Sequence, residues 1–467
     1  LIEFNELCPS LMDRFIAENR LPNFKRLRDQ SDTFITVPDV MTSELLEPWI
    51  QWYSLHSGLH YDQHQVFHLT DGPRAGHDDL FSTLLAAGET VGCGGSMNVK
   101  GFASPGSFYF SDPWCDGERA YPDELNIFQS FISRMVREYS NPDQSNDATS
   151  ALQFGSFLLR HGLSAASVAS IVSQLASEKL SDPTLSWRRA AILDRLNLDV
   201  FAHYYRRHQP RFATFFSNST AHLQHAYWRF MDPAPFSMKP SPEDEKRYGG
   251  AIAFGYEKMD GLVKELLALA EPDCLVVFAT ALGQQPYLRK EAIGGQHFYR
   301  PRKIEAVLDI LGVPYAEVTP TMTHQFMLRP ESTEAAAQAV TRLADFSING
   351  KPLFDVRDHG TEGLYFGCGI SVALPDGVQI LDRRSNATID FDTHFYHMDG
   401  TKGGCHHPEG MLWFRTGAGR RHADKVSILD VYPTLLEALK HGDKIGADRR
   451  GTSLLPLLDG AEIRAAA

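Results

Sequence analysis

Residues 41–66 read MTSELLEPWIQWYSLHSGLHYDQHQV, and the reading of the whole chain turns on them. Two carboxylates, Glu44 and Glu47, precede Pro48-Trp49; Gln51, Trp52, Tyr53, Ser54, Ser57 and Gly58 follow. Pro48 suits the first position of a helix, where its missing N–H costs nothing. Glu47, just ahead of it, stands where the positive end of a helix dipole favours an anion. Gly58-Leu59 is the expected stop. By periodicity this is an amphipathic helix with Trp49, Trp52 and Leu55 in the core. By position it is more, because a helix start close behind a strand is where α/β proteins hold anions and nucleophiles.

Upstream, Leu1 to Phe4 is a short apolar strand that ends at Asn5-Glu6, and Pro9-Ser10 opens a helix to Glu18. Leu21-Pro22-Asn23 restarts a helical piece, and Thr33 to Val37 is a β-branched strand. Downstream come a helix from His77 to Ala87 and a buried strand from Thr90 to Gly94. This alternation predicts a doubly wound, mostly parallel α/β sheet. Residues 122–210 differ: apolar pairs recur at helical spacing without a convincing strand, so a helical insertion or cap is expected there, with a polar loop at Asn141 to Ser150. Arg211 to Ser217 resumes the sheet, followed by helices from Thr220 to Phe230 and, unbroken, from Pro242 to Leu269. Cys274 to Ala279 and Met411 to Arg415 are further strands, and Gly363 to Ile389 suggests a small antiparallel sheet. Three parts are therefore expected: 1–121 and 211–467 as two parts of one α/β core, and 122–210 inserted between them.

A length of 467 residues fits one large domain with insertions, or two domains. The formal net charge of −13 argues against a nucleic-acid partner, which needs clustered Lys and Arg. No apolar run reaches membrane-spanning length, and no signal peptide is evident. Six scattered cysteines, none in a CxxC pair, favour free thiols and a cytoplasmic setting. The chain opens inside a strand without an initiator Met, which leaves room for a short leader.

In open α/β sheets, function gathers at the carboxyl ends of the strands. Those ends offer Asn5 and Glu6; the loop into Glu47; Asn218, Ser219, Thr220, His222 and His225; and Thr280, Gly283, Gln284 and Gln285. Just ahead of the last strand stand His406, His407 and Glu409. His222 and His225, three apart on a helix, share a face. With the His406-His407 pair they are compatible with zinc or another transition metal. A lone histidine is more often a loop cap or a core hydrogen-bond partner than a ligand. The pairing of His225 with His406 rests on a resemblance.

In their order, these strand ends resemble the alkaline phosphatase superfamily, in particular its type I phosphodiesterase/nucleotide pyrophosphatase branch. The first strand running into Leu21-Pro22-Asn23 is similar to the family's start, where Asp-Gly ends the strand. Trp52 to Val66 is similar to its Trp-x-Ser-x-x-Thr-Gly and His-Gly-Ile stretch. Thr220 to Trp228 (TAHLQHAYW) resembles its Thr-Asp-x-x-x-His-x-x-Trp helix, Thr280 to Gly283 its Ser-Asp-His-Gly turn, and His406 to Gly410 (HHPEG) its His-x-Pro-x-Gly. Ile428 to Leu436 and Gly451 to Leu455 match its closing helix and loop. The resemblance implies an alkaline-phosphatase-like fold and two metals that clamp a phosphoryl group beside a Thr or Ser nucleophile.

The chain departs from that pattern at the ligands. Asn5 replaces the early Asp, Ala221 the Asp of the helix, and Ala281-Leu282 the Asp-His turn; Pro48 falls at the nucleophile. His225 and His406 survive. One metal position then holds an amide, a methyl and an isobutyl group, and cannot keep a divalent cation. The other holds two imidazoles, a weak zinc site unless His222, His407 or Glu47 joins. The expectation is a divergent enzyme on a phosphate or sulfate ester, hydrolase or group transferase, with one zinc or other divalent metal or none. Glu47, His225 and His406 would be catalytic, with His225 and His406 the metal ligands; Asn5, Gln51, His222, Gln284 and His407 would bind a small-molecule or glycan substrate. The alternative is a pseudoenzyme that binds a glycan, nucleotide or protein in the former pocket; a third reading moves the chemistry to the helical insertion. A homo-oligomer is left open.

Overall fold

The computed structural model describes all residues except 43–44, 116, 138–147, 181, 271–273, 322–323, 359–362, 399–401 and 459–467. Glu44 and most of the Asn141 to Ser150 loop therefore lie outside the described residues.

Eight strands form the central sheet: β1 (Ile2–Phe4), β2 (Ser31–Val37), β3 (Val91–Gly94), β4 (Phe108–Phe110), β5 (Phe212–Ser217), β6 (Val277–Ala279), β9 (Gly410–Arg415) and β10 (Val426–Ser427). A separate two-stranded ribbon pairs β7 (Gly283–Pro286) with β8 (Gly404–His407). The central order is β10-β2-β9-β6-β1-β5-β3-β4. Every pairing is parallel except those of β9, which runs antiparallel to β2 and β6. Parallel strands must be covered on both faces, and the side chains divide accordingly. Phe215, Phe278, Met411 and Trp413 belong to one core with Ile2 and Phe4. Their neighbours Phe216, Val277, Ala279, Leu412 and Phe414 belong to another on the opposite face. The period-two alternation of a strand thus produces two apolar layers, and helices close each of them.

Between β4 and β5 the described elements are all helical, the α-helices being Leu125–Arg137, Ala148–Arg160, Ala165–Leu180 and Ala190–His208. The expected small antiparallel sheet is two four-stranded sheets. One uses Glu317–Pro320, Gln325–Arg329, Phe354–Asp358 and Leu364–Cys368; the other uses Phe346–Ile348, Lys351–Pro352, Gln379–Asp382 and Thr388–Asp390. Four of their pairings are local hairpins, and the two that join the hairpins bring together strands distant in the chain. The helix expected from Pro242 to Leu269 is two, Pro242–Tyr248 and Ala251–Leu269. Gly249-Gly250 lies at the break, where two glycines in succession lose the most helix propensity.

The Pro48–Ser57 helix starts and stops where expected, with Pro48 in its first turn and Gly58 left-handed at φ 66°. A Cβ on Gly58 would come within 2.9 Å of the Tyr432 side chain. The helix is not amphipathic, however: every residue in it but Trp49 is buried. It lies under the closing segment Ile428–Asp430 and the Val431–Ala438 helix, and several of its polar groups find partners inside the protein. Ser57 donates to the Tyr53 carbonyl (2.8 Å), and His56 Nε2 meets Glu3 Oε1 at 2.7 Å.

Asp32 on β2 ties the C-terminal segment to the sheet. Fully buried, it accepts from Thr416 Oγ1 (2.7 Å), Arg420 Nε (2.8 Å) and His422 Nε2 (2.8 Å). Burial alone would raise its pKa, but the bonds from Thr416, His422 and Arg420 outweigh that and hold the carboxyl below its usual range. A depressed folded-state pKa contributes stability above the unfolded value near 4, and that stability is lost as pH falls through the folded value. Asp32→Asn is expected to cost about 2 kcal/mol at pH 7, since Arg420 is partly exposed and keeps some hydration. Urea denaturation at pH 7 and pH 3 would check this: the gap between wild type and variant should shrink at the lower pH.

Among the described residues no helix is long and apolar enough to cross a membrane. All six cysteines are free.

Candidate metal and active site

At the carboxyl edge of the sheet, three side chains from three elements converge: Glu6, His225 and His406. Glu6 leaves β1, His225 lies on the Ser219–Met231 helix after β5, and His406 is on β8. Glu6 Oε2 is 3.1 Å from His225 Nε2 and 3.5 Å from His406 Nε2. The three possible ligand atoms lie within 4.8 Å of one another. Glu6 is 3 % exposed in its side chain, His406 16 % and His225 29 %, so the cluster opens on the histidine side.

Local structure explains why a glutamate arrives from that position. The chain leaves β1 at Asn5, whose N–H still bonds the Ser217 carbonyl at 2.9 Å. Glu6 then turns left-handed at φ 60°, a conformation glycine favours and one that costs a side-chain-bearing residue on the order of 1 kcal/mol.

Glu6 is held from several directions. Asn5 Nδ2 donates to its Oε1 (2.8 Å), Gln284 Nε2 to its Oε2 (2.5 Å), and Gln224 Nε2 to its backbone carbonyl (2.8 Å). Burial alone would raise Glu6, but His406 and His225, with the bonds from His225 and Gln284, outweigh it and hold the carboxyl at about 2. Burial pushes His406 down to about 4, with Glu6 opposing the shift and His225 and Lys402 adding to it. Near neutral pH the cluster therefore offers a carboxylate and a neutral His406 imidazole, the protonation states that metal ligands need.

The second nitrogens of both rings face acceptors. His225 Nδ1 is 3.0 Å from the Gly404 carbonyl, which can only accept, so the ring is oriented with Nε2 toward Glu6. His406 Nδ1 is 3.6 Å from Glu47 Oε2. Gly403 and Gly404 make the approach possible. The Gly403 N–H reaches the His225 carbonyl at 2.7 Å, and a Cβ on Gly404 would come within 2.5 Å of the Gln224 carbonyl. In the ribbon His406 pairs with Gln284, which sets the histidine and the amide that anchors Glu6 side by side.

Glu47 is the N-cap of the Pro48–Ser57 helix, yet its side chain caps nothing. Although 27 % of that side chain meets solvent, the protein packed around it pushes the carboxyl up to about 8, with Lys402 opposing and Glu6 adding to the rise.

The remaining expected site residues are placed differently. Asn5 is buried, and its side chain is engaged with Glu6, Asn218 Oδ1 (2.7 Å) and Trp52 Nε1 (2.8 Å). Gln284 likewise serves Glu6 and the Ala221 carbonyl. These two amides position the carboxylate. Gln51 is buried in the first turn of its helix and donates to the Leu45 carbonyl at 3.3 Å. His222 is half-buried and is not one of the three converging groups. His407, on the alternate side of β8 from His406, accepts the Glu409 N–H at 3.2 Å. Ala281 and Leu282 are buried and apolar. The sequence places Glu6 at a strand end without assigning it a role, and it gives no sign of Lys402; the signal for Glu6 was its position directly after β1.

No family model and no curated protein matches this chain. Among solved structures, phosphonoacetate hydrolase from Sinorhizobium meliloti 1021, in complex with phosphonoacetate, aligns over 94% of both chains at 13% identity with a TM-score of 0.38. Human ectonucleotide pyrophosphatase/phosphodiesterase 5 aligns over 98% of both chains at 10% identity and 0.39. The inactive murine form of that enzyme, in complex with AMP, aligns over 94% of both at 11% and 0.37. By its own topology, the chain is an α/β protein with a mostly parallel, doubly wound sheet and a carboxylate–diimidazole cluster at that sheet's carboxyl edge.

Proposed function

We propose that the protein is a hydrolase or group transferase for a phosphate or sulfate ester, working with one divalent metal, zinc by ligand type, held by Glu6, His225 and His406. One observation carries the reading. Tetrahedral ligands about 2.0–2.1 Å from zinc lie roughly 3.3 Å apart, and the two Glu6–histidine distances, 3.1 and 3.5 Å, bracket that value. Two histidines and a glutamate are also a catalytic rather than a closed structural set, because a fourth position stays open. When bound, such a metal polarises an ester oxygen and stabilises the charge that develops on it.

The chain's own residues supply the rest. Glu6 is aimed by Asn5 and Gln284, and His225 by the Gly404 carbonyl. Lys402, whose charge acts on both Glu47 and His406, draws an anionic ester toward the cluster. Glu47, uncommitted by any capping bond and next to His406, gives or takes the proton of the reacting oxygen. A cytoplasmic setting, suited to six free thiols, and a small-molecule substrate belong to the same proposal.

The buried Ala281 and Leu282 and the helical Pro48 favour a second reading, a binder without turnover. Assays with p-nitrophenyl phosphate, bis(p-nitrophenyl) phosphate and p-nitrophenyl sulfate, on zinc-loaded and chelator-treated protein, separate the two. Zinc-dependent release of nitrophenol supports the enzyme. Stoichiometric zinc with thermal stabilisation by phosphate esters but no turnover supports the binder.

Gln284→Ala tests the support of the carboxylate. Loss of a group that orients a ligand typically costs about 10–100-fold in metal affinity, and a fall in that range is expected in competition with a chromophoric chelator. An unchanged zinc affinity would show that Gln284 does not position Glu6.

A further inference from the structure

Apart from the Glu6–His225–His406 cluster, a concentration of positive charge surrounds a cavity of about 390 Å³. It lies where the strand Tyr299–Pro301 runs into the helix Ile304–Leu311. Arg300, Arg302 and Lys303 line it, with Phe326 and Pro320 as apolar walls and Glu305 as its single carboxylate. None of these residues belongs to the Glu6–His225–His406 cluster or to the groups that hold it.

The informative residue is Arg300. It is 3 % exposed, and among the described residues it forms no ion pair. One N–H donates to the Arg137 carbonyl at 3.3 Å, and the guanidinium lies over the Phe326 ring, 5.0 Å from its centroid. A guanidinium has five N–H donors, and a buried cation without a counter-charge is costly to keep. Glu305 does not supply the counter-charge: it is exposed and forms no ion pair among the described residues. The helix start adds to the demand. Lys303 is its N-cap, and no side chain caps the first turn, so free N–H groups and the positive end of the dipole sit at the same cavity.

We propose that this cavity binds the phosphate group of a small phosphorylated molecule. Arg300 is the buried anchor, Lys303 and the N–H groups of the helix's first turn are the outer donors, and Phe326 and Pro320 receive the molecule's less polar part. A fork of guanidinium donors and a helix N-terminus together match a tetrahedral anion with several acceptor oxygens. The cavity is larger than a phosphate group alone requires, which leaves room for the rest of the molecule. The inference does not depend on the metal site.

The test is calorimetric titration of the full chain with inorganic phosphate. The informative variant is Ala306→Glu. Ala306 lines the cavity and is exposed in the helix's first turn, where a glutamate is favourable, so the fold is kept while a resident carboxylate competes with phosphate for the cavity. Kd should rise at least about tenfold in Ala306→Glu, as loss of a charge-assisted contact predicts. It should change less than about threefold in His406→Ala, which dismantles the metal site. Arg300→Gln should also weaken binding, with circular dichroism as the check on its fold. The proposal is overturned if Ala306→Glu binds like wild type, if binding is lost in His406→Ala instead, or if wild type shows no heat up to about 10 mM phosphate.

Discussion

Glu6→Gln should purify nearly free of zinc and lose turnover by about a thousandfold or more, because it removes the one charged ligand from a site with two neutral imidazoles. The substitution is close to isosteric. It keeps the left-handed backbone at φ 60° and leaves an oxygen to accept from Asn5, so loss of function without loss of fold is the expected pattern. Three readings together decide the matter: zinc per chain by plasma emission, turnover of the nitrophenyl esters, and thermal midpoint. Retention of full zinc and full turnover would remove Glu6 from the mechanism. Loss of zinc with turnover intact would leave the chemistry to Glu47 and the histidines without metal.

The second large effect is expected at Glu47. Glu47→Gln should keep zinc to within about tenfold in affinity, since Glu47 is not among the three converging ligands and acts on His406 only through Nδ1 at 3.6 Å. Turnover should fall about 10²–10⁴-fold, the range for loss of a positioned proton donor or acceptor. The pairing of outcomes is what discriminates: Glu6→Gln loses metal and rate, whereas Glu47→Gln loses rate and keeps metal. A Glu47→Gln variant as active as wild type would end the acid–base role. It would leave Glu47 as a support for His406, with a drop in zinc affinity as its only trace.

Helix and strand types were largely legible from the residues. The Pro48 start and Gly58 stop, the apolar alternation of Arg211 to Ser217 and the helical spacing of residues 122–210 each reflect local chemistry, which a linear reading captures. The errors came where local chemistry was overruled. The Pro48–Ser57 helix has polar residues along its length but is buried apart from Trp49; Glu3, Asp39 and its own carbonyls meet its serine hydroxyls and the His56 Nε2. The two small sheets begin well before Gly363; their hairpins are local, but the pairings that join them, Gln325–Arg329 with Leu364–Cys368 and Phe346–Ile348 with Gln379–Asp382, bring together strands more than about 30 residues apart.

The site divides in the same way. His225 and His406 could be named from the order of the motifs. Glu6 could not, because its role depends on a backbone angle. An extended residue after β1 would alternate with Asn5 and point elsewhere, whereas φ 60° swings the side chain toward the helix after β5 and the ribbon of β7 and β8. Asn5 shows the converse. A polar residue at a strand end suggests contact with substrate, but its oxygen and nitrogen are spent on Trp52, Asn218 and Glu6.

The amino-acid order alone therefore settled the class of the chain, the strand ends where function gathers, and two of the three converging residues, because propensity, periodicity and motif order are properties of neighbours in sequence. Tertiary structure decided the third residue, the amides that aim it and the buried, unpaired charge of Arg300. Each of those depends on the direction of a side chain after a turn and on what the fold brings opposite it.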